Sequence, residues 1–407
     1  MARRSDWVVI AYLAFLGTLM ATGIDISLPA FDEIDAELDA GNNESLIVTI
    51  FFLGAAFGQL ITGPVSDAIG RRPTLAVGIG VYLVGAVLSA IATSFTMLLV
   101  ARFIWGLGAA APAGTRTAIA RDLYSGDAMA RITTVMMAVF LLGPIFTPLI
   151  GEALLQFGSW RLVFWFPALL AIGGLAAVSW FGETLRPELR RSFARADFGD
   201  AVRAIRSTRV TFGHLVASVF WTAAFFVFLS ASPIVWDRVY DRESSFAFSF
   251  ALLGALTIPL LLANNLVIKK IGARAASVAT ASVSLVVSII GAVVVLAIDA
   301  TPNFWLFYVW LVFASSFITL SSPPIFALAL EPMEAIAGTV SALMFFSGFA
   351  VGSTLAGFVG PMIGETITPF VLAFAIFGGI GFAYQVWAGP DVRESMAEAR
   401  RPSPVTS

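Results

Sequence analysis

The sequence predicts an all-α membrane protein with 12 transmembrane helices in two pseudo-symmetric six-helix bundles. Of its 407 residues, 58% are hydrophobic and 12% are charged, whereas soluble proteins carry about 25% charged residues. Apolar runs recur that reach the roughly 20 residues a helix needs to cross a bilayer. A polar loop after the second run also has a weaker copy about half a chain later. These observations together favour a membrane fold built from two related halves.

The first bundle is predicted over residues 1–182. Its basic start, with Arg3 and Arg4, leads into an apolar run without a clear small-residue cleavage site, so we interpret this run as a retained helix. The acidic segment Asp32–Glu44 that follows is expected to be an exposed loop. The six predicted spans are Trp7–Pro29, Leu46–Val65, Pro73 to the turn at Ala92–Ser94, Phe95–Ala120, Ile132–Gly151 and Leu162–Gly182.

A cytoplasmic linker with seven arginines is predicted over residues 183–209, before a second bundle over residues 210–390. Pro323 and Pro324 are expected to kink the tenth helix, because proline lacks the amide donor. Residues 391–407 are predicted to be a disordered cytoplasmic tail. The six predicted spans are Val210–Trp236, Ser244–Ile268, Ala275–Ile298, Ala300–Leu330, Ala335–Gly364 and Thr366–Pro390.

The positions of the cations predict the orientation in the membrane. With 12 spans, the termini, the linker and the even-to-odd loops lie on one side, and they hold 19 of the 24 lysines and arginines. Cytoplasmic loops carry such an excess. We therefore expect both termini in the cytoplasm of a multi-pass protein of the cell (inner) membrane.

The polar loop runs from Gly63 to Pro73, and its degenerate copy places Gly272 and Arg274 at 202 positions after Gly70 and Arg72. Both copies lie between the second and third span of their half, which supports the 6+6 organisation. The loop itself has the pattern G-x-x-x-D-x-x-G-R-R. Its glycines permit a tight turn, and its single acid needs a cation at the end of a helix. A simple positive-inside turn would explain the arginines alone.

The full pattern resembles the signature loop of the major facilitator superfamily. The segment from Arg102 to Gly108 is similar to the superfamily's fourth-helix motif. The fifth-helix motif of its antiporters is matched by Gly143, Pro144, Pro148 and Gly151, although Glu152 stands where a glycine is usual. Further matches to its bicyclomycin and chloramphenicol resistance branch are Arg121–Tyr124, Trp160–Arg161 and Ala337–Thr339.

Asp25 is the most informative single residue, because an ionisable group in a spanning segment indicates a functional site. The resemblance implies that Asp25 is the proton-coupling site and that Arg102 tunes it. Alternatively, Asp25 lies among the outer headgroups, and Arg102 is an interfacial arginine that extends its side chain to water.

The polar loop is predicted to act as a conformational gate. The residues assigned to it are Gly63, Asp67, Gly70, Arg71, Arg72 and Arg116, with Arg116 expected near Asp67. Four other residues are candidates for an apolar substrate cavity, although such side chains more often face lipid or other helices. They are Gln59, Trp221, Phe225 and Phe345.

These features predict a proton-driven exporter of small hydrophobic or amphipathic compounds, working as a monomer, with transport of an endogenous metabolite as the alternative. No cofactor is expected, since the proton gradient would drive transport, and no nucleic acid is expected as a partner.

The chain has no cysteine and a single histidine, His214, which excludes disulfides, thiol catalysis and histidine-cluster metal sites. An enzyme is disfavoured because no nucleophile and base occur together. A sensor or scaffold is disfavoured because no large soluble module is present.

Overall fold

The computed structural model describes residues 6–124, 126–190 and 198–389. Its first half contains six long helices and one short one. They are α1 (Asp6–Asp25), the short α2 (Phe31–Leu38), α3 (Ser45–Ile69), α4 (Arg71–Ala90), α5 (Phe95–Leu123), α6 (Gly126–Leu155) and α7 (Leu162–Phe181).

The second half repeats this arrangement after a short helix in the linker. The helices are the short α8 (Phe198–Ser207), α9 (Arg209–Ile234), α10 (Phe246–Ile271), α11 (Ala273–Ala297), α12 (Phe304–Leu330), α13 (Ala337–Gly357) and α14 (Thr368–Trp387). Eleven helices in the described ranges are long and apolar enough to cross a membrane, and α6 adds the apolar stretch Ile145–Leu155.

The repeat predicted from the sequence is visible in the backbone. Gly70 ends α3 and precedes α4 with φ 108° and ψ 166°. Gly272 ends α10 and precedes α11 with φ 84° and ψ 159°. Both angles lie in a region that favours glycine. The same conformation therefore turns the chain between the second and third long helix of each half.

Small residues let α5 pass close to α3 and α4 in the centre of the first half. A Cβ atom at Gly106 would overlap the carbonyl oxygen of Phe51 on α3, and one at Gly54 would overlap that of Phe103 on α5. On the other side of α5, a Cβ at Gly108 would meet the Tyr82 amide of α4. Small residues at helix interfaces allow this approach in membranes.

The two halves meet along two pairs of helices. α3 packs against α13, and α6 packs against α10. Away from these contacts, large apolar side chains are exposed along the outside of α4, α7 and α11. Examples are Val77, Val84, Leu169, Ile172 and Ile289. Such a surface suits contact with lipid rather than water.

The structure corrects one expectation about local structure and adds two observations. The segment Asp32–Glu44 is not a plain exposed loop, because it contains most of α2 and ends in the buried Glu44. The linker contains α8 and a 3-10 turn at Pro187–Leu189. α12 continues without a break through the two prolines, and the first non-helical backbone after it is at Met333. The predicted tail lies outside the described residues.

Candidate functional site

A central cavity of about 270 Å³ lies between the two halves. Residues of α1 and α3 line it from one half, and residues of α9, α12 and α13 line it from the other. Its wall is mainly apolar and aromatic, with Phe52, Phe225, Phe226 and Phe349 among its members. Among the described residues that line the cavity, Asp25 is the only one with an ionisable side chain.

Asp25 is the last residue of α1 and is only 2% exposed. Its Oδ1 atom is buried and accepts no hydrogen bond from the described residues. Arg102 of α5 lies within electrostatic reach of this carboxyl group. A buried carboxyl that has an unused acceptor and a nearby cation is suited to bind and release a proton.

Arg102 is fully buried beside this cavity. Its Nε donates to the Ile47 carbonyl at 2.9 Å, and its guanidinium carbon lies 4.8 Å from the ring centres of both Phe51 and Trp105. Within the described ranges, neither Nη1 nor Nη2 has a hydrogen-bond partner. The two aromatic faces stabilise the cation and leave these nitrogens available to a carboxylate or to water.

The predicted antiporter motif on α6 packs against α1 beside Asp25. A Cβ at Gly143 would press on Ala21, and one at Gly151 would overlap the Ile26 carbonyl oxygen. Pro148 is buried in the same helix, whereas the side chain of Pro144 lies outside the described part. The motif thus fixes how closely α6 approaches the helix that carries Asp25.

Arg71 is the centre of a charged network where α3 ends. It pairs with Asp67 at 2.6 Å and with Asp122 of α5 at 3.0 Å. It also donates to the Ser66 hydroxyl at 3.0 Å. The side chain of Arg71 is 8% exposed, while that of Asp67 is 49% exposed. We call the end of the molecule that contains this network the Arg71 face.

Glu183 joins the same network from the end of α7. Its carboxylate accepts from the Arg71 amide at 2.9 Å and from the Arg72 amide at 3.2 Å. It thereby satisfies two free amides at the start of α4. A Cβ at Gly70 would overlap this carboxylate, so the glycine makes room for the cap. The side chain of Arg72 is exposed, and Gly63 lines a cavity beside Asp67.

A family model of the Major Facilitator Superfamily matches residues 13–356. The chain belongs to this superfamily. The resemblance drawn from its motifs is thereby confirmed.

Relatives of similar length include the bicyclomycin resistance protein homolog of Haemophilus influenzae. It is 27% identical over 379 residues, which cover 91% of this chain and 93% of the relative. The multidrug resistance protein MdtL of Escherichia coli is 25% identical over 240 residues, which cover 59% of this chain and 60% of the relative.

Solved structures agree with the superfamily fold. The crystal structure of a D-xylose-proton symporter superposes with a TM-score of 0.75 at 14% identity, over 95% of this chain and 97% of that one. The human organic anion transporter MFSD10 gives a TM-score of 0.65 at 18% identity, over 95% of this chain and 100% of that one. At these identities the likeness concerns the fold alone.

The transporter does not bring every predicted gate residue together. Asp67 makes its ion pair with Arg71, whereas the guanidinium of Arg116 lies against Gly17 of α1. The expected pairing of Arg116 with Asp67 is therefore wrong. From its position in the sequence, Arg116 could lie near the polar loop, but the rotation of α5 directs its side chain toward α1.

The four predicted cavity residues separate into two groups. Phe225 and Phe345 line the central cavity. Gln59 lines a different cavity of about 180 Å³ at the Arg71 face, to which Phe345 also contributes. Trp221 is buried between helices, where its Nε1 donates to Gln385 at 3.2 Å. The placement of Gln59 and Trp221 in the central cavity is thus corrected.

The opposite end of the molecule, which we call the Glu44 face, is closed by contacts between the halves. Glu44 pairs with Arg238, although its Oε2 is buried and accepts no hydrogen bond from the described residues. Beneath this pair, a Cβ at Gly360 would overlap the Ser45 side chain. Deeper still, the rings of Phe52 and Phe226 stack with their centres 3.9 Å apart.

The Glu44 face also holds an acidic cluster that the sequence analysis missed. Asp32, Asp237 and Glu243 bring one carboxylate oxygen each to within 4.8 Å of one another. Asp32 belongs to the first half and the other two belong to the second, so no short motif joins them. Like charges at this distance repel one another, which opposes closure of this face.

Proposed function

We propose that this transporter exports small hydrophobic or amphipathic compounds in exchange for protons. The observation that supports this proposal best is Asp25, a buried carboxyl in an otherwise apolar and aromatic cavity. The names of the relatives, which refer to bicyclomycin resistance and multidrug resistance, favour drug-like compounds as the substrate class.

Coupling would follow from the energetic cost of an ionised carboxyl in the cavity. An unpaired carboxylate is expensive in apolar surroundings, and protonation or pairing with a cation removes most of that cost. Asp25 would therefore take a proton from the acidic side of the membrane. It would release the proton when Arg102 approaches or when the cavity opens to the other side.

Transport would proceed by alternating access, in which the two halves rock around the central cavity. In the proposed orientation the Arg71 face is cytoplasmic, as the 19 of 24 cations on that side favour. The network of Arg71 with Asp67, Asp122 and Glu183 lies within the first half. It would hold the ends of these helices in place to pack against the second half and close the cytoplasmic side in the outward-open state. Substrate would then enter from the cytoplasm and leave at the Glu44 face.

Vesicles that contain the purified protein and a candidate drug test the proposal. Wild-type protein should exchange drug for protons when a pH gradient is imposed. Asp25→Asn should retain drug binding but lose the response to the gradient, because an amide carries no titratable proton. Asp25→Glu is the matched variant and should keep part of the response.

If Asp25→Asn transports with an undiminished dependence on the gradient, the coupling role is wrong. If no compound in a broad panel moves with wild-type protein while the gradient is intact, the proposed substrate class is wrong. Melting temperatures of both variants should match wild type, so that lost transport is not confused with lost folding.

A further inference from the structure

A separate cavity of about 150 Å³, with four polar residues in its wall, lies in the second half at the Arg71 face. Its polar wall consists of His214 from α9, Arg274 and Ser277 from α11, and Gln385 from α14. The space would hold roughly five water molecules at about 30 Å³ each, or one tetrahedral oxyanion. We call it the His214 cavity. It is separate from the central cavity, and none of these four residues lines the latter.

His214 is 3% exposed and is oriented by its own helix. Its Nδ1 donates to the Val210 carbonyl at 2.8 Å, because a carbonyl oxygen can only accept. The other ring nitrogen, Nε2, has no hydrogen bond to any described residue. Nε2 is therefore the polar atom that the ring has left for the cavity. In the neutral ring it accepts a hydrogen bond from a protonated oxygen, and it donates to an anion only when the ring is protonated.

The neighbouring groups favour donation into the cavity. Gln385 donates from Nε2 to the Ser277 hydroxyl oxygen at 2.6 Å, so the hydroxyl hydrogen of Ser277 remains free to be donated elsewhere. The Oε1 of Gln385 is already used by Trp221. Arg274 adds a permanent positive charge and up to five donors.

The start of α4, which corresponds to the start of α11 in the repeat, shows what this cavity lacks. There, the carboxylate of Glu183 accepts from the first amides of α4. α11 begins in the same way after Gly272, a residue that has no side chain with which to cap the helix. The described residues that line the His214 cavity include no acid. The start of a helix attracts an anion, and here the chain supplies cations and donors without the anion.

We propose that the His214 cavity binds a phosphate group, either as a free phosphate or as the headgroup of an anionic lipid. Arg274 and Ser277 of α11 offer donors to this cavity, and Nε2 of His214 on α9 offers an acceptor for a protonated oxygen. This combination suits a tetrahedral phosphate group with several oxygens better than a single halide. The cavity lies where α9 and α11 begin and α14 ends, at one end of three helices that are long and apolar enough to cross a membrane. Glu331 is an acid within electrostatic reach of His214, but it does not line the cavity.

Two measurements on the full chain separate the two phosphate sources. In the first, inorganic phosphate is titrated into protein in detergent and phosphate-free buffer, and the melting temperature is followed. In the second, protein from phosphatidylglycerol or phosphatidylcholine vesicles is analysed for retained lipid by native mass spectrometry. Each is performed on wild type, Arg274→Gln, Arg274→Lys and Lys270→Gln. Lys270 is an exposed cation near the same turn but outside the cavity, so it controls for net charge.

Wild type and Lys270→Gln should behave alike. Arg274→Gln should weaken phosphate binding about tenfold or more, as expected for the loss of a charged hydrogen-bond donor, and Arg274→Lys should recover part of it. A response to inorganic phosphate assigns a free anion. Selective retention of phosphatidylglycerol that depends on Arg274 assigns a lipid headgroup.

The proposal is overturned if wild type responds to neither probe, or if Lys270→Gln loses as much binding as Arg274→Gln. If Arg274→Gln does not fold, His214→Gln replaces it. This variant keeps the charge of Arg274, and unchanged binding of both probes would likewise contradict the proposal.

Discussion

Glu183 illustrates how one side chain can hold several elements at the Arg71 face. Its carboxylate caps α4 through the amides of Arg71 and Arg72, and Arg71 in turn contacts Asp67 and Asp122. Removing the cap should destabilise the fold by about 0.5–2 kcal/mol. We therefore expect Glu183→Ala to melt several degrees below wild type in detergent.

The matched control for this residue is Glu188→Ala, because Glu188 is an exposed acid in the 3-10 turn that follows. It should melt at the wild-type temperature. Equal melting temperatures for the two variants would show that the cap contributes nothing to stability.

Sequence reasoning could find Asp25 but not Glu183. An acid within an apolar span has few structural explanations, so its position alone marks it. Glu183 stands just after a span in a polar linker, where acids are common. Its partners lie 111 and 112 residues away in the chain, and only the packing of α7 beside α4 brings them together.

At the scale of elements, the closest approach of helices depends on residues without side chains. A Cβ at Gly106 would overlap the backbone of α3, so Gly106→Ala must push α3 and α5 apart. Overpacking of this kind costs about 1–3 kcal/mol. We expect a lower melting temperature and a smaller yield of monodisperse protein for this variant.

Gly80→Ala on α4 is the control, since nothing lies within 4 Å of a Cβ at that position. Alanine there should be neutral or slightly stabilising. If Gly106→Ala is as stable as Gly80→Ala, the crossing of α3 and α5 tolerates more separation than the structure indicates.

The long helices could be predicted from sequence because hydropathy and length determine them almost alone. The short helices could not. α2 is acidic and only eight residues long, so its composition indicated a loop, yet it packs through Phe31 and Ile34, which are buried. The predicted contact of Arg116 with Asp67 was wrong for a related reason. The direction of a side chain depends on how its helix is rotated about its axis, and the position of the residue in the sequence does not determine that rotation.

At the scale of the whole molecule, the two ends are in different states. Aromatic stacking, a glycine contact and the Glu44–Arg238 pair close the Glu44 face. At the Arg71 face a cavity remains between Gln59 and Phe345. The structure therefore represents a transporter that is closed at one end, and opening it requires the buried Glu44 to meet water.

The pH should shift this equilibrium. Burial raises the pKa of the Glu44 carboxyl above its usual value, although the Arg238 charge acts in the opposite direction. A raised pKa means that the closed arrangement binds the proton more tightly than an open, hydrated one. Protonation therefore favours closure at low pH, and this advantage is lost as the pH rises through the raised pKa. Repulsion within the acidic cluster of Asp32, Asp237 and Glu243 also opposes closure at high pH, and protonation at low pH relieves it.

Spin labels can measure this shift without background, because the chain has no cysteine. Labels at Ala36→Cys and Ser244→Cys, both exposed, report the distance between the halves at the Glu44 face. We expect the short-distance population to be larger at pH 5 than at pH 8.

Glu44→Gln should reduce this difference between the two pH values, because the amide does not titrate. Glu365→Gln is the control and should leave the difference unchanged, because it removes an exposed acid from the same face. An identical pH profile in Glu44→Gln and in the labelled parent would show that Glu44 does not couple protonation to closure.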